Sequence, residues 1–138
     1  MSEKLLHGDV TDAVIQAYYD IYNGLGVGFL ERVYEQAILV LLQKRGFRIE
    51  KHYPIKVHFE GVVVGEYFAD LLVDRRVIIE NKAVDALAPT HEAQLLNYLK
   101  ATPIEVGLLL NFGGEKPEFK RKILTNDRKP HLRIRSHP

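Results

Sequence analysis

Cysteine is absent from the chain, which excludes disulfides, a thiolate metal centre and a cysteine nucleophile. Long apolar runs are absent too. No stretch approaches the ~20 residues of a membrane-spanning helix, so no membrane partner is expected. The opening residues, Met1-Ser2-Glu3-Lys4-Leu5-Leu6-His7-Gly8, lack the apolar stretch and small-residue cleavage site of a secretory leader, and a cytoplasmic location is expected. Internal repeats and low-complexity segments are missing. What remains is 138 residues, 46% hydrophobic and 27% charged, an ordinary composition and enough chain for one domain with one sizeable core.

The net charge of +1 conceals an asymmetry. Residues 1–114 carry 11 Lys/Arg against 15 Asp/Glu, and residues 115–138 carry 8 against 3. A basic tail on an acidic body can grip phosphates or simply be a solvated terminus.

Helical spacing of Val10, Ala13, Val14, Ala17, Tyr18 and Ile21 predicts a first helix over Asp9–Tyr22, stopped by Asn23-Gly24. After a glycine loop, Leu30, Val33, Ala37, Val40 and Leu41 predict a second helix from about Phe29 to Arg45. Strands follow at Ile55–Phe59, from Val62-Val63-Val64 into Tyr67–Val73, and at Val77–Lys82. The consecutive apolar residues Leu71-Leu72-Val73 and Val77-Ile78-Ile79 indicate strands covered on both faces. A third helix, about His91–Ala101, precedes a strand at Val106–Leu110. The expected order is α, α, β, β, β, α, β, with a core over about 9–113 and a basic extension over 114–138.

The hairpin around Arg75 carries the chemistry. With a three-residue loop Val73 opposes Val77, which puts Asp70 opposite Glu80, and alternation puts Lys82 on the same face. Two opposed carboxylates repel unless something positive separates them, and a hard divalent cation does so naturally. Lys82 can orient an attacking water or stabilise charge on a phosphate. Glu-x-Lys facing an Asp is therefore a complete set for metal-assisted phosphodiester cleavage. A surface hairpin with a Glu–Lys pair gives the same pattern. Charges interrupting runs of Leu, Val and Ile favour the site.

Gly28-Phe29-Leu30-Glu31-Arg32-Val33-Tyr34, Gly65 to Val73, Glu80 to Val84, His91 to Lys100 and Val106 to Gly113 stand in this order. Together they resemble the Gly-x-x-Glu-x-x-Tyr family, a branch of the PD-(D/E)-x-K nuclease-like superfamily, over roughly residues 9–113. The resemblance implies an α/β, restriction-endonuclease-like αβββαβ core with a mixed central sheet flanked by helices. It implies Asp70, Glu80 and Lys82 as the catalytic triplet, Glu31 as a further metal or water ligand, and Gln94 beside Lys82. Asn81 and Val27 depart from the family pattern, which is apolar at the one and often proline at the other.

Other residues weigh less. Tyr34 is expected to pack on the sheet and hydrogen-bond a carboxylate. Glu66, with the strand parity of Asp70, suits the site mouth or the surface. The glycines at 24, 26 and 28 follow a helix, not a strand, so they form a turn and not a dinucleotide loop. His91-Glu92 lacks the second histidine of a zinc hydrolase. His52, His58, His131 and His137 show no ligand spacing. The expectation is a nuclease using Mg²⁺ or Mn²⁺, held by Glu31, Asp70 and Glu80, on nucleic acid, DNA first, with a homodimer left open. Its rivals are a non-catalytic nuclease-like binding module and a scaffold with a structural acidic cluster.

Overall fold

The computed structural model describes residues 5–129. Its elements are α1 (Gly8–Leu25), α2 (Glu31–Lys44), β1 (Ile49–Phe59), β2 (Val62–Val73), β3 (Val77–Lys82), α3 (Pro89–Ala101), β4 (Val106–Asn111) and β5 (Glu118–Ile123), then a 3-10 turn at Asn126–Arg128. The strands form one sheet in the order β1-β2-β3-β4-β5. Among the described residues only β3 and β4 pair in parallel, and α3 supplies the crossover that a parallel pair requires. This is the mixed α/β, restriction-endonuclease-like arrangement expected.

Each face of the sheet buries its own core. Val10, Val14, Ala17 and Tyr18 of α1 and Tyr34, Ile38 and Leu42 of α2 close on Leu71, Val73, Val77, Ile79, Leu108 and Leu110, the i, i+4, i+7 stripes of two amphipathic helices. On the other face Leu95, Tyr98 and Leu99 of α3 close on Ile55, Ala69, Leu72, Ile78 and Leu109. Covered twice, all of β4 and all of β3 but Lys82 are buried. Gly107 belongs to the second contact, because a Cβ there would meet Leu95 Cδ1 at 2.6 Å.

Boundaries moved in instructive ways. α1 passes Gly24 and ends at Gly26, whose φ of 70° suits glycine. α2 starts at Glu31, two residues later than expected. Its inner face is Tyr34, Ile38, Leu39 and Leu42, while Leu30, Val33 and Val40 of the expected stripe are exposed, because the later start and the docking on the sheet turn the helix to its Tyr34 side. β1 begins six residues early, at Ile49. α3 starts on Pro89, with His91 Nδ1 accepting the Ala88 N–H, so His91 caps a helix. The fifth strand went unforeseen. It lies in the basic extension, where Glu-Phe-Lys-Arg-Lys-Ile offers too few apolar positions to signal a strand, and it pairs with β4 from Val106↔Ile123 to Asn111↔Glu118.

Alternation breaks in the middle of the hairpin, apart from the register shift nearer its tip between Val57 and His58. Leu71 and Val73 face the first core, yet Ala69 lies in the second. In β1, Ile49 packs on the first core while Tyr53 and Ile55 serve the second. The break falls at His52, whose φ is 49°, between the pairs Lys51↔Leu71 and Tyr53↔Ala69 and so opposite Asp70. One left-handed residue rolls the hairpin. Its base serves α1 and α2, and its far half serves α3.

Candidate functional site

The rungs Val73↔Val77, Leu72↔Ile78 and Leu71↔Ile79 follow the hairpin count, which makes Asp70 and Glu80 the next pair. There the ladder gives way to side chains. The Asp70 N–H donates to Glu80 Oε2 at 2.6 Å, and the Asn81 N–H donates to Asp70 Oδ2 at 2.8 Å. Each carboxylate thus serves as acceptor for an amide of the opposite strand, keeping those amides satisfied. The second oxygen of each, Asp70 Oδ1 and Glu80 Oε1, takes no part in these bonds.

Burial raises both acids. Glu80, 4% exposed, is pushed up to about 8 by desolvation and then by the neighbouring Asp70 charge, with Lys82 opposing. Asp70 is pushed up to about 6, again by desolvation first, with Glu35 and Glu31 adding to the rise and the Asn81 N–H and Lys82 resisting it. Lys82 is therefore the nearby positive charge that resists the rise of both acids, without forming an ion pair with either. Its Nζ donates to Gln94 Oε1 at 3.5 Å, which brings α3 to the site.

The exit of β3 is held firmly. Asn111, fully buried, accepts the Val84 N–H at 3.0 Å and donates to the Val84 carbonyl at 2.9 Å. The Phe112 N–H donates to the Lys82 carbonyl at 2.8 Å. Gly113 permits this approach, since a Cβ would stand 2.5 Å from the Ala83–Val84 backbone.

The second helix contributes differently from expectation. Tyr34 bonds no carboxylate. Its hydroxyl donates to the Gly26 carbonyl at 2.6 Å and accepts the Phe29 N–H at 3.2 Å, and its ring stacks on Phe112 at 4.5 Å. Tyr34 thereby fixes the glycine loop that leads into α2. Glu31, the first residue of that helix, is exposed, yet close enough to raise Asp70. Among the described residues no group of three or more His, Asp or Glu side chains is placed to hold a metal ion. The structure joins Asp70, Glu80, Lys82 and Gln94, and leaves Glu31 at the margin.

Glu35 was missed. It lies one turn beyond Glu31, acts on both Asp70 and Glu80, and meets His52 Nε2 at 3.1 Å. The i, i+4 spacing from Glu31 was the available signal. Tyr98 was missed as well. It lies one turn beyond Gln94, and burial, then Glu80 and Asp70, push its phenol up to about 12. Glu66 is exposed, because the roll at His52 breaks the parity that linked it to Asp70. Asn81 donates its backbone N–H to Asp70, while its side chain, 1% exposed, has both polar atoms without partners.

A family model described as the PD-(D/E)XK nuclease superfamily matches residues 8–122. No curated protein matches significantly. Among solved structures, one titled "Crystal structure of SSO0001" is similar, with a TM-score of 0.52 and 18% identity over 75% of this chain. The chain spans about half of that protein, 55% of its length, and the likeness speaks to fold alone.

Proposed function

Because the chain belongs to the PD-(D/E)XK nuclease superfamily, we propose that Asp70, Glu80 and Lys82 are the catalytic set of a metal-dependent nuclease. The observation that carries this is the parting of β2 and β3, where a buried and a half-buried carboxylate, mutually repelling, each keep one oxygen out of the cross-strand bonds. Such an oxygen pair fits a hard divalent cation, Mg²⁺ or Mn²⁺, better than Zn²⁺, for no thiolate or histidine cluster accompanies it among the described residues. Asp70 and Glu80 would hold the cation, with waters and substrate phosphate oxygens filling the rest of its shell, and Glu31 would add negative charge from the solvent side. Bound there, it supplies Lewis acidity toward a phosphoryl oxygen and a lowered pKa for a coordinated water.

The chain's own groups do the rest. Lys82 donates to the attacking water or to a non-bridging phosphate oxygen, and its charge answers the negative charge that builds up at phosphorus. Gln94 accepts from Lys82 through Oε1, which steadies the ammonium and leaves the amide NH₂ for a phosphate. Tyr34 sets the start of α2 and thereby Glu31. The resemblance to the Gly-x-x-Glu-x-x-Tyr branch supports the parts given to Glu31 and Gln94. Nucleic acid is the substrate class, with DNA first.

The decisive experiment offers single-stranded, duplex and branched DNA and RNA to the purified chain with Mg²⁺ or Mn²⁺. Cleavage that disappears with a chelator and in the Asp70→Ala, Glu80→Ala double variant is expected. Binding with no cleavage of any form would instead establish a non-catalytic nuclease-like module.

A further inference from the structure

A groove of about 1000 Å³ lies beside the site, walled on one side by the far half of the β1–β2 hairpin and on the other by α3. It is continuous with the site, since Gln94 lines it while accepting the bond from Lys82. Its aromatic content is high. Tyr67, 50% exposed, and Tyr98 face each other with ring centroids 5.9 Å apart, and Phe59 near the hairpin tip is 67% exposed. Asn97 adds an amide, and Lys56 and Lys100 add positive charge from the two walls.

Size and chemistry select the occupant. Pockets of roughly 300–1,000 Å³ take ligands of drug-like size, so this one has room for about one to three nucleotides. A duplex, whose major groove alone is about 12 Å wide, does not enter. Aromatic faces beside lysines are how proteins hold unpaired bases without reading sequence, the rings stacking and the cations following the backbone. The hairpin roll at His52 is what turns Tyr67 toward α3. Resting on the nuclease reading above, we propose that this groove seats the unpaired nucleotides flanking the scissile phosphate, so that the protein acts on single-stranded nucleic acid or an unpaired end in preference to continuous duplex.

The test measures binding and cleavage separately on the full chain. Fluorescently labelled short single strands, of DNA and of RNA, and the matching blunt duplexes are titrated by anisotropy in a chelator, and the same set is then incubated with Mg²⁺ or Mn²⁺. One of the two single strands should bind at least about tenfold tighter than its duplex. Tyr67→Ala should weaken that binding about tenfold, Tyr67→Phe should restore it, and duplex binding should stay put. Asn97→Ala, on the opposite wall and exposed, should weaken single-strand binding too, and decides the matter if Tyr67→Ala does not fold. Equal affinity for strand and duplex, or strand binding indifferent to folded Tyr67 and Asn97 variants, overturns the groove even if cleavage is seen. Strand preference lost with Tyr67, but without any cleavage, upholds the groove as a binding site and removes the nuclease reading.

Discussion

Asp70 and Glu80 bridge β2 and β3 with one oxygen each and keep the other out of those bonds. Both have folded pKa values above the ordinary carboxylate values, so the folded chain binds the extra protons. Stability from this source is fully present below about pH 4, where the unfolded carboxyls (ordinary values 3.8 and 4.5) are protonated too, and it falls as pH rises through about 6 and then about 8, above which it levels off. Thermal melts without metal should therefore show a decline from pH 5.5 to 9. Saturating Mg²⁺ should flatten it, because the cation favours the ionised pair in the folded state only. An Asp70→Asn, Glu80→Gln variant that keeps the full decline would refute the assignment. Lys82→Ala should lower cleavage by about 10²–10³ while leaving the Mg²⁺-induced melting shift in place, since its interaction is made mainly in the transition state. Asp70→Asn should lose both. Kinetics and melts on the two variants side by side separate these roles. The meeting of Asp70 and Glu80 across the hairpin was legible in the sequence because charge inside an apolar strand is costly. Glu35 was not, because a glutamate on a helix is unremarkable until the fold shows what it faces.

Central strands and the first helix were legible for a related reason: α1, β3 and β4 carry their burial pattern openly, whereas α2 buries Tyr34, Ile38 and Leu42 and not the stripe its apolar spacing suggested. What escaped was set by single backbone events. His52 at positive φ reverses the faces of β1 and β2, and no residue type announces it. The glycine loop shows the complementary case, where Gly26 and Gly28 take φ of 70° and 111° and Tyr34 ties them down. Tyr34→Phe keeps the stacking on Phe112 but removes two hydrogen bonds. It should cost roughly 1–2 kcal/mol in denaturant melts, and cleavage should fall further than that loss of folded protein accounts for, since Glu31 is freed. At the other strand exit, Gly113→Ala forces a Cβ against backbone that cannot yield. A loss of more than about 1–3 kcal/mol is expected, and an unchanged denaturation midpoint would show that Ala83–Val84 can move away.

At the scale of the whole molecule, the basic segment after Gly114 is largely part of the fold. Lys122 pairs with Glu92 at 2.5 Å, and Lys129, 1% exposed, donates to the Thr102 and Ile104 carbonyls at 2.8 Å each. Cutting at Gly114 removes a strand and should unfold the chain, visible as loss of cooperative melting. Reversing the exposed Lys120 alone is the milder probe, and should reduce the salt dependence of nucleic-acid binding by about one unit of slope if it meets a phosphate. The basic stretch could be seen in the sequence, but its burial could not, because polar residues sealing an edge look like polar residues in solvent. Residues 130–138, which hold further basic side chains, lie outside the described residues.

That same strand has a consequence for how copies of the molecule treat one another. A five-stranded sheet ends in two rows of unpaired backbone groups, an invitation to strand addition. Here β5 meets the invitation with Lys120, Arg121 and Lys122, and β1 with Lys51, Pro54 and Lys56. Charge and a missing N–H discourage a neighbour at both borders. Strand addition at these borders is disfavoured, and concentrated solutions should resist fibrous aggregation.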